Sequence, residues 1–123
     1  MKVAVGDYAE LERTFTADDL KLFSDAIQDK YAAHKHDTNN PSTFYRSDIV
    51  YGIFTSASFT ALFRSYFPKA IYLSQDIKFR KPILRDEKVR ARVEIVSWDE
   101  RKKDVTFKTL IEKADTKEVA VEG

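Results

Sequence analysis

At 123 residues, 43% hydrophobic and 33% charged, the chain is long enough to bury a core, and its composition excludes both a disordered segment and a membrane protein. Lys and Arg total 21 against 20 Asp and Glu, a formal net charge of +1 with the signs interleaved, so nothing asks for nucleic acid or an anionic membrane. The absence of cysteine excludes disulfides and thiolate chemistry, and MKVAVGDYAE has neither signal nor transit character, so one cytoplasmic domain, 1–123, is expected.

In residues 8–15, Ala9, Leu11 and Phe15 alternate with Glu10, Glu12 and Thr14, the period of a half-buried strand, with Arg13 out of pattern. Thr16 then offers an N-cap hydroxyl, Asp18 and Asp19 suit a helix N-terminus, and Leu20, Phe23 and Ile27 predict the apolar face of a short helix that leads to Asp29.

The stretch QDKYAAHKHDTNNPS, residues 28–42, holds both histidines, His34 and His36, beside Asp29 and Asp37. Three readings stay open: a polar loop, a metal clip, or an acid/base pair of Asp29 and His34. Imidazole titrates near neutral pH, and partial burial raises a carboxylate towards it. A zinc site lacks a third histidine or any cysteine, so no metal and no cofactor is expected.

Residues 49–63, IVYGIFTSASFTALF, carry no charge, yet are too short and too rich in Ser and Thr for a membrane span. They predict a central helix buried nearly all round. Gly52 lies near its start, where glycine costs about 1 kcal/mol relative to alanine. Either backbone packs closely there, or the missing side chain exposes helix N-terminal N–H groups to a developing oxyanion, with a carbonyl or thioester as guest. Phe54, Phe59, Phe63, Tyr66 and Tyr72 read as core or as tunnel lining.

Beyond Pro68, alternation at Ile71, Leu73, Ile77 and Phe79, then at Val89, Ala91, Val93 and Ile95, then at Val105, Phe107, Thr109 and Ile111, predicts three strands, with a fourth over 118–122. The polar loop DERKKD and the other short breaks require antiparallel pairing. The fold class is α+β, an antiparallel sheet wrapped around a long central helix. Lys78, Arg80, Lys81 and Arg85 read either as a solvated strand face or as contacts for a carrier's phosphates.

The segments VGDYAELERTFTADDLKLFSDAIQD, IVYG and AIYLSQDIKFRKPILRDEKVRARVEI resemble the (R)-specific enoyl-CoA hydratases, or MaoC-like proteins, of the hotdog fold. That family carries D-x-N-P-x-H and, about fifteen residues later, I-V-H-G. Here D-K-Y-A-A-H, residues 29–34, keeps both chemical ends, and I-V-Y-G, residues 49–52, falls at the family's spacing.

The resemblance implies a homodimer acting on an acyl-CoA or acyl carrier protein thioester. Asp29 and His34 would hold one water and the Gly52 N–H would polarise the thioester carbonyl, while Thr60 matches a family serine. Tyr31 and Ala32 replace the motif's Asn and Pro, and Tyr51 replaces its His, which alters loop rigidity, hydrogen bonding and pocket volume. Two other readings belong to the same fold: a non-catalytic subunit that binds acyl chains or stabilises a catalytic partner, and a thioesterase.

Overall fold

The computed structural model describes residues 4–28 and 49–123. Strand β1 (Tyr8–Thr14) leads into helix α1 (Ala17–Ile27). Two helical segments follow, α2 (Gly52–Ser56) and α3 (Ser58–Tyr66), and then strands β2 (Lys78–Phe79), β3 (Lys88–Asp99), β4 (Asp104–Lys113) and β5 (Val119–Glu122). The strands form one antiparallel sheet in the order β1-β3-β4-β5-β2.

The sheet's inner face follows directly from alternation. Val89, Ala91, Val93 and Ile95 of β3 are buried while Arg90, Arg92 and Glu94 face outward. Register carries the pattern to both neighbours: Val93 lies opposite Ala9 of β1 and Thr109 of β4, and Ala91 lies opposite Leu11 and Ile111. The β3–β4 turn closes where Asp99 Oδ1 accepts from the N–H groups of Arg101 and Lys102, at 3.0 and 3.1 Å. Between β4 and β5 the register slips, since Ile111 faces Val121 while Glu112 faces Val119. The extra residue is Ala120, whose carbonyl accepts from the N–H groups of Arg80 and Lys81 at 2.7 and 3.2 Å and so ties down the exit of β2.

Helix α1 begins as its sequence predicts. Thr16 Oγ1 accepts from the Asp19 N–H and Asp19 Oδ2 accepts from the Thr16 N–H, a closed capping box. Its inner face differs by one position: Leu20 and Ser24 are buried, Phe23 is half-buried and Ile27 is exposed. Ser24 is accommodated because its hydroxyl donates to the Lys21 carbonyl.

The central helix departs from expectation in two ways. It starts at Gly52, not Ile49, because Ile49 bridges to Leu84 and the Val50 N–H donates to the Ile83 carbonyl at 2.8 Å. It also hitches at Ala57, whose N–H is shared between the Ile53 and Phe54 carbonyls and whose own carbonyl accepts from Thr60 three residues on. The hydroxyls of Thr55 and Ser56 donate to the Gly52 and Ile53 carbonyls, which allows uncharged polar side chains to be buried here.

The helix is also not buried all round. Phe59 and Leu62 enter the core against Val89, Ala91, Val93 and Ile111, but Ile53 on the opposite face is 65% exposed. One sheet covers only one side of a helix.

The predicted strand over 71–80 is reduced to Lys78 and Phe79, which pair with Glu122 and Val121 of β5. Ile71 and Leu73 are 83% and 76% exposed, so their alternation has no covering layer among the described residues. Arg13 is explained by the fold: it occupies the inner-face position opposite Val89, and its guanidinium lies 4.6 Å from the Phe15 ring centre and 5.6 Å from that of Phe54.

Candidate active site

Of the sequence-predicted site residues, Asp29, Tyr31 and His34 lie outside the described residues, as do Ala32, His36 and Asp37. Tyr51, Gly52 and Thr60 are described. Helix α1 delivers the chain to within one residue of Asp29: Gln28 is its C-cap, in the left-handed region at φ 61, with its N–H donating to the Asp25 and Ser24 carbonyls.

The start of α2 contrasts with that of α1. Tyr51 is its N-cap and makes no side-chain capping bond, and the first turn holds no acidic residue. The first helical bond runs from the Thr55 N–H to the Tyr51 carbonyl at 3.0 Å, so the N–H groups of Gly52, Ile53 and Phe54 precede the helical ladder. These donors, with the positive end of the helix dipole, suit an oxygen that gains negative charge.

Gly52 has a packing reason as well. A Cβ built on it would lie 2.8 Å from Phe79 Cε1 and 3.1 Å from Phe79 Cδ1 and Cζ, so the ring of Phe79 occupies the space that a side chain would need. Close approach therefore accounts for the glycine.

Tyr51 is buried, at 7% exposure, and its ring centre lies 4.9 Å from that of Phe23. Phe23 stacks on Phe54 at 4.5 Å and 8°, and Phe54 meets Phe15 edge-on at 5.0 Å. This aromatic row fixes α1 against the start of α2. Thr60, two turns beyond Gly52, shares a 2.9 Å hydrogen bond between its Oγ1 and the Tyr72 hydroxyl.

Among the open grooves of the described residues, one of about 450 Å³ is lined by Asp76, Lys78, Lys108, Thr109, Glu122 and Gly123, and one of about 250 Å³ by Asp19, Leu22, Phe23 and Phe54. Neither is lined by Gly52, Tyr51 or Thr60, and the larger balances lysines against carboxylates, a poor design for an anion.

Three of the four basic residues considered for phosphates are engaged within the chain: Arg80 with Glu122 at 2.7 Å, Lys81 with Glu118 at 3.6 Å and Arg85 with Asp86 at 3.5 Å. Titration shifts fall on the sheet's outer face and at the far end of α3. Hydrogen bonds from Arg90 and then Lys88 hold the Glu12 carboxyl below the usual glutamate range, and desolvation raises the Tyr66 phenol, which donates to the Tyr8 carbonyl.

Sequence reasoning missed Phe23 and Phe79 as site neighbours. The glycine at the helix start was the signal for Phe79, since a helix-start glycine implies that something lies close.

An antiparallel sheet laid over one helix, with that helix starting beside the sheet's edge, is the hotdog architecture. Comparison with solved structures agrees: the (R)-hydratase from A. caviae involved in PHA biosynthesis superposes with a TM-score of 0.87 at 28% identity, covering 98% of this chain and 92% of that one.

Within that fold the kinship is specific. The (R)-specific enoyl-CoA hydratase of Rhodospirillum rubrum is 29% identical over 120 residues, 96% of this chain and 82% of the relative. The mitochondrial 3-hydroxyacyl-[acyl-carrier-protein] dehydratase of Arabidopsis thaliana is 26% identical over 121 residues, 97% and 73% respectively. No family model matches the chain. The resemblance read in the sequence holds: the chain is similar to (R)-specific enoyl-CoA hydratases and 3-hydroxyacyl-[acyl-carrier-protein] dehydratases, which are hydro-lyases, and it has the hotdog fold. Among the described residues no helix is long and apolar enough to cross a membrane.

Proposed function

We propose that the protein is a hydro-lyase that adds water to trans-2-enoyl thioesters, or removes it from (R)-3-hydroxyacyl thioesters, carried on CoA or acyl carrier protein in fatty-acid metabolism. The observation that carries this reading is the start of α2. Its N–H groups are claimed by no capping side chain, and they sit at Gly52 in a chain that aligns with (R)-specific hydratases over almost its full length.

In this reading the thioester oxygen accepts from the Gly52 N–H. Electron withdrawal through the conjugated system makes C3 electrophilic and stabilises the enolate that forms when water adds. Asp29 and His34 hold the attacking water between them. One takes its proton as oxygen bonds to C3 and the other delivers a proton to C2, and the reverse transfers dehydrate the hydroxyacyl form. Thr60 and Tyr51 line the site from the helix, and Tyr31 narrows its entrance.

The reading includes a single domain over 1–123, a cytoplasmic location and a homodimer. The exposed apolar side chains of Ile53, Ile71 and Leu73 support the dimer, because a second copy would supply cover that one chain lacks. The same side chains favour a second reading, a non-catalytic subunit seated on a catalytic partner.

Incubation with crotonyl-CoA, followed by loss of the enoyl absorbance, tests the activity. Asp29→Asn and His34→Ala are each expected to slow hydration by about 10²- to 10⁴-fold. Undiminished turnover in both variants would remove their roles. A protein inert alone but active with a co-purified relative, as an assembly of the corresponding mass, would establish the second reading.

A further inference from the structure

Ion pairing is uneven over the described surface. Arg80, Lys81, Lys88, Arg90, Arg92 and Lys113 each have a carboxylate within 3.6 Å. Arg64, Lys69, Arg101, Lys102 and Lys103 are exposed and form no ion pair among the described residues.

These five cations belong to two chain segments that meet. The Phe67 ring, just past the end of α3, stacks on that of Trp98 near the end of β3, with centres 5.6 Å apart and planes at 18°. Arg64 and Lys69 flank Phe67 in sequence, while Arg101, Lys102 and Lys103 occupy the turn that follows Trp98. Asp99, Glu100 and Asp104 stand beside them, yet none closes an ion pair: Asp99 Oδ1 is taken by the backbone N–H groups of Arg101 and Lys102. Arg64 Nη1 donates to the Pro68 carbonyl at 2.8 Å, which holds its charge at this end without neutralising it. Trp98 itself is exposed, at 38%.

We propose that this end of the molecule is a docking surface for an acidic protein, and that an acyl carrier protein, whose surface is rich in carboxylates, is the partner it fits. Naming the carrier rests on the thioester reading above; the surface does not depend on it. An exposed aromatic pair bordered by Arg and Lys has the make-up of an interface, with an anchor at the centre and a charged rim. Cations without internal partners break no ion pair when a carboxylate-rich surface arrives, and their common sign speeds the encounter. A phosphate of CoA calls for donors that converge on one group, whereas these are spread over two segments on either side of the rings.

The test is calorimetric binding of a tryptophan-free holo-acyl carrier protein, with Trp98, the single tryptophan of the chain, reporting contact through its fluorescence. The wild type is expected to bind with an affinity that falls as salt rises, and with a change in Trp98 emission. Lys69→Glu with Lys102→Glu, one substitution from each segment, is expected to weaken binding at least about tenfold. Lys21→Glu with Lys117→Glu, an equal change of charge on α1 and on the turn before β5, is expected to stay within about twofold of wild type. Melting curves are recorded for each, and if the first pair does not melt cooperatively, Lys69→Gln with Lys102→Gln takes its place, with an expected loss of about threefold.

No binding by the wild type, equal weakening by the two charge-reversed pairs, or unchanged Trp98 emission overturns the proposal. So does binding to vesicles of phosphatidylcholine and phosphatidylserine in place of the carrier, which would assign the surface to a membrane. Hydration of crotonyl-CoA is read separately. If the wild type is inactive, the hydratase reading fails by itself and carrier binding still decides for the surface. If it is active, KM for crotonyl-CoA is expected to stay within about twofold in the Lys69 and Lys102 variant, and a rise as large as the loss of carrier binding would give these cations to CoA and overturn the proposal.

Discussion

The sheet built on β3 and the edge near β2 present opposite kinds of surface. On the outer face of β1, β3 and β4 the charges answer one another. Arg90 meets Glu12 at 3.0 Å and Glu112 at 3.5 Å, Arg92 meets Glu10 at 2.8 Å and Glu94 at 3.0 Å, and Lys88 meets Glu12 at 3.0 Å. Each such pair is worth little individually, but together they complete a face that needs no further partner. Ile53 at the start of α2, Ile71 and Leu73 in the run that leads to β2, and Phe79 on β2 are exposed. The chain thus pairs the charges of this sheet face and leaves apolar side chains uncovered on the helix start and on the run into β2.

The largest test of this contrast lies beneath both regions. Phe59 is fully buried between α3 and the sheet, so Phe59→Ala should cost about 3–5 kcal/mol in denaturant unfolding. A loss below about 1 kcal/mol would mean that the helix does not rely on this sheet.

The apolar edge should respond through assembly. Ile71→Asp with Leu73→Asp is expected to shift sedimentation from dimer to monomer while leaving the far-ultraviolet circular dichroism of the sheet intact. An assembly of unchanged mass would show that this edge faces solvent.

The smallest effect belongs to the charged face. Glu12 has its folded-state pKa depressed by Arg90 and Lys88, so its contribution is present above the unfolded pKa and is lost as pH falls through the folded value. Glu12→Gln should therefore lower stability slightly near neutral pH, where the charged pairing is present, and flatten the acid limb, so that the two stability–pH profiles converge at low pH. An identical acid limb would show that the pairing is fully screened.

Legibility followed the range of the signal. Strands β1, β3, β4 and β5 and the capped helix α1 were readable because alternation and capping are local properties of a few residues. The strand over 71–80 was overread: alternation states which side chains want cover but not whether a neighbouring strand is in place, and β5 pairs only with Lys78 and Phe79.

The central helix was overread in the same sense. An uncharged run predicts burial on all sides, but the Thr55 and Ser56 hydroxyls are satisfied by their own backbone and Ile53 is left uncovered. Of the site, Gly52 was visible as a glycine in a costly position, while Asp29 and His34 were singled out by their family spacing.

By itself the sequence determined the α+β class, the pairing of periods with elements, and the residue types available for proton transfer, because these depend on composition and spacing along the chain. Only the tertiary structure decided that Phe79 lies on Gly52 and that Phe23 locks α1 to Tyr51. Those contacts join positions far apart in sequence, and no local pattern records which of many apolar side chains will meet once the sheet has closed over the helix.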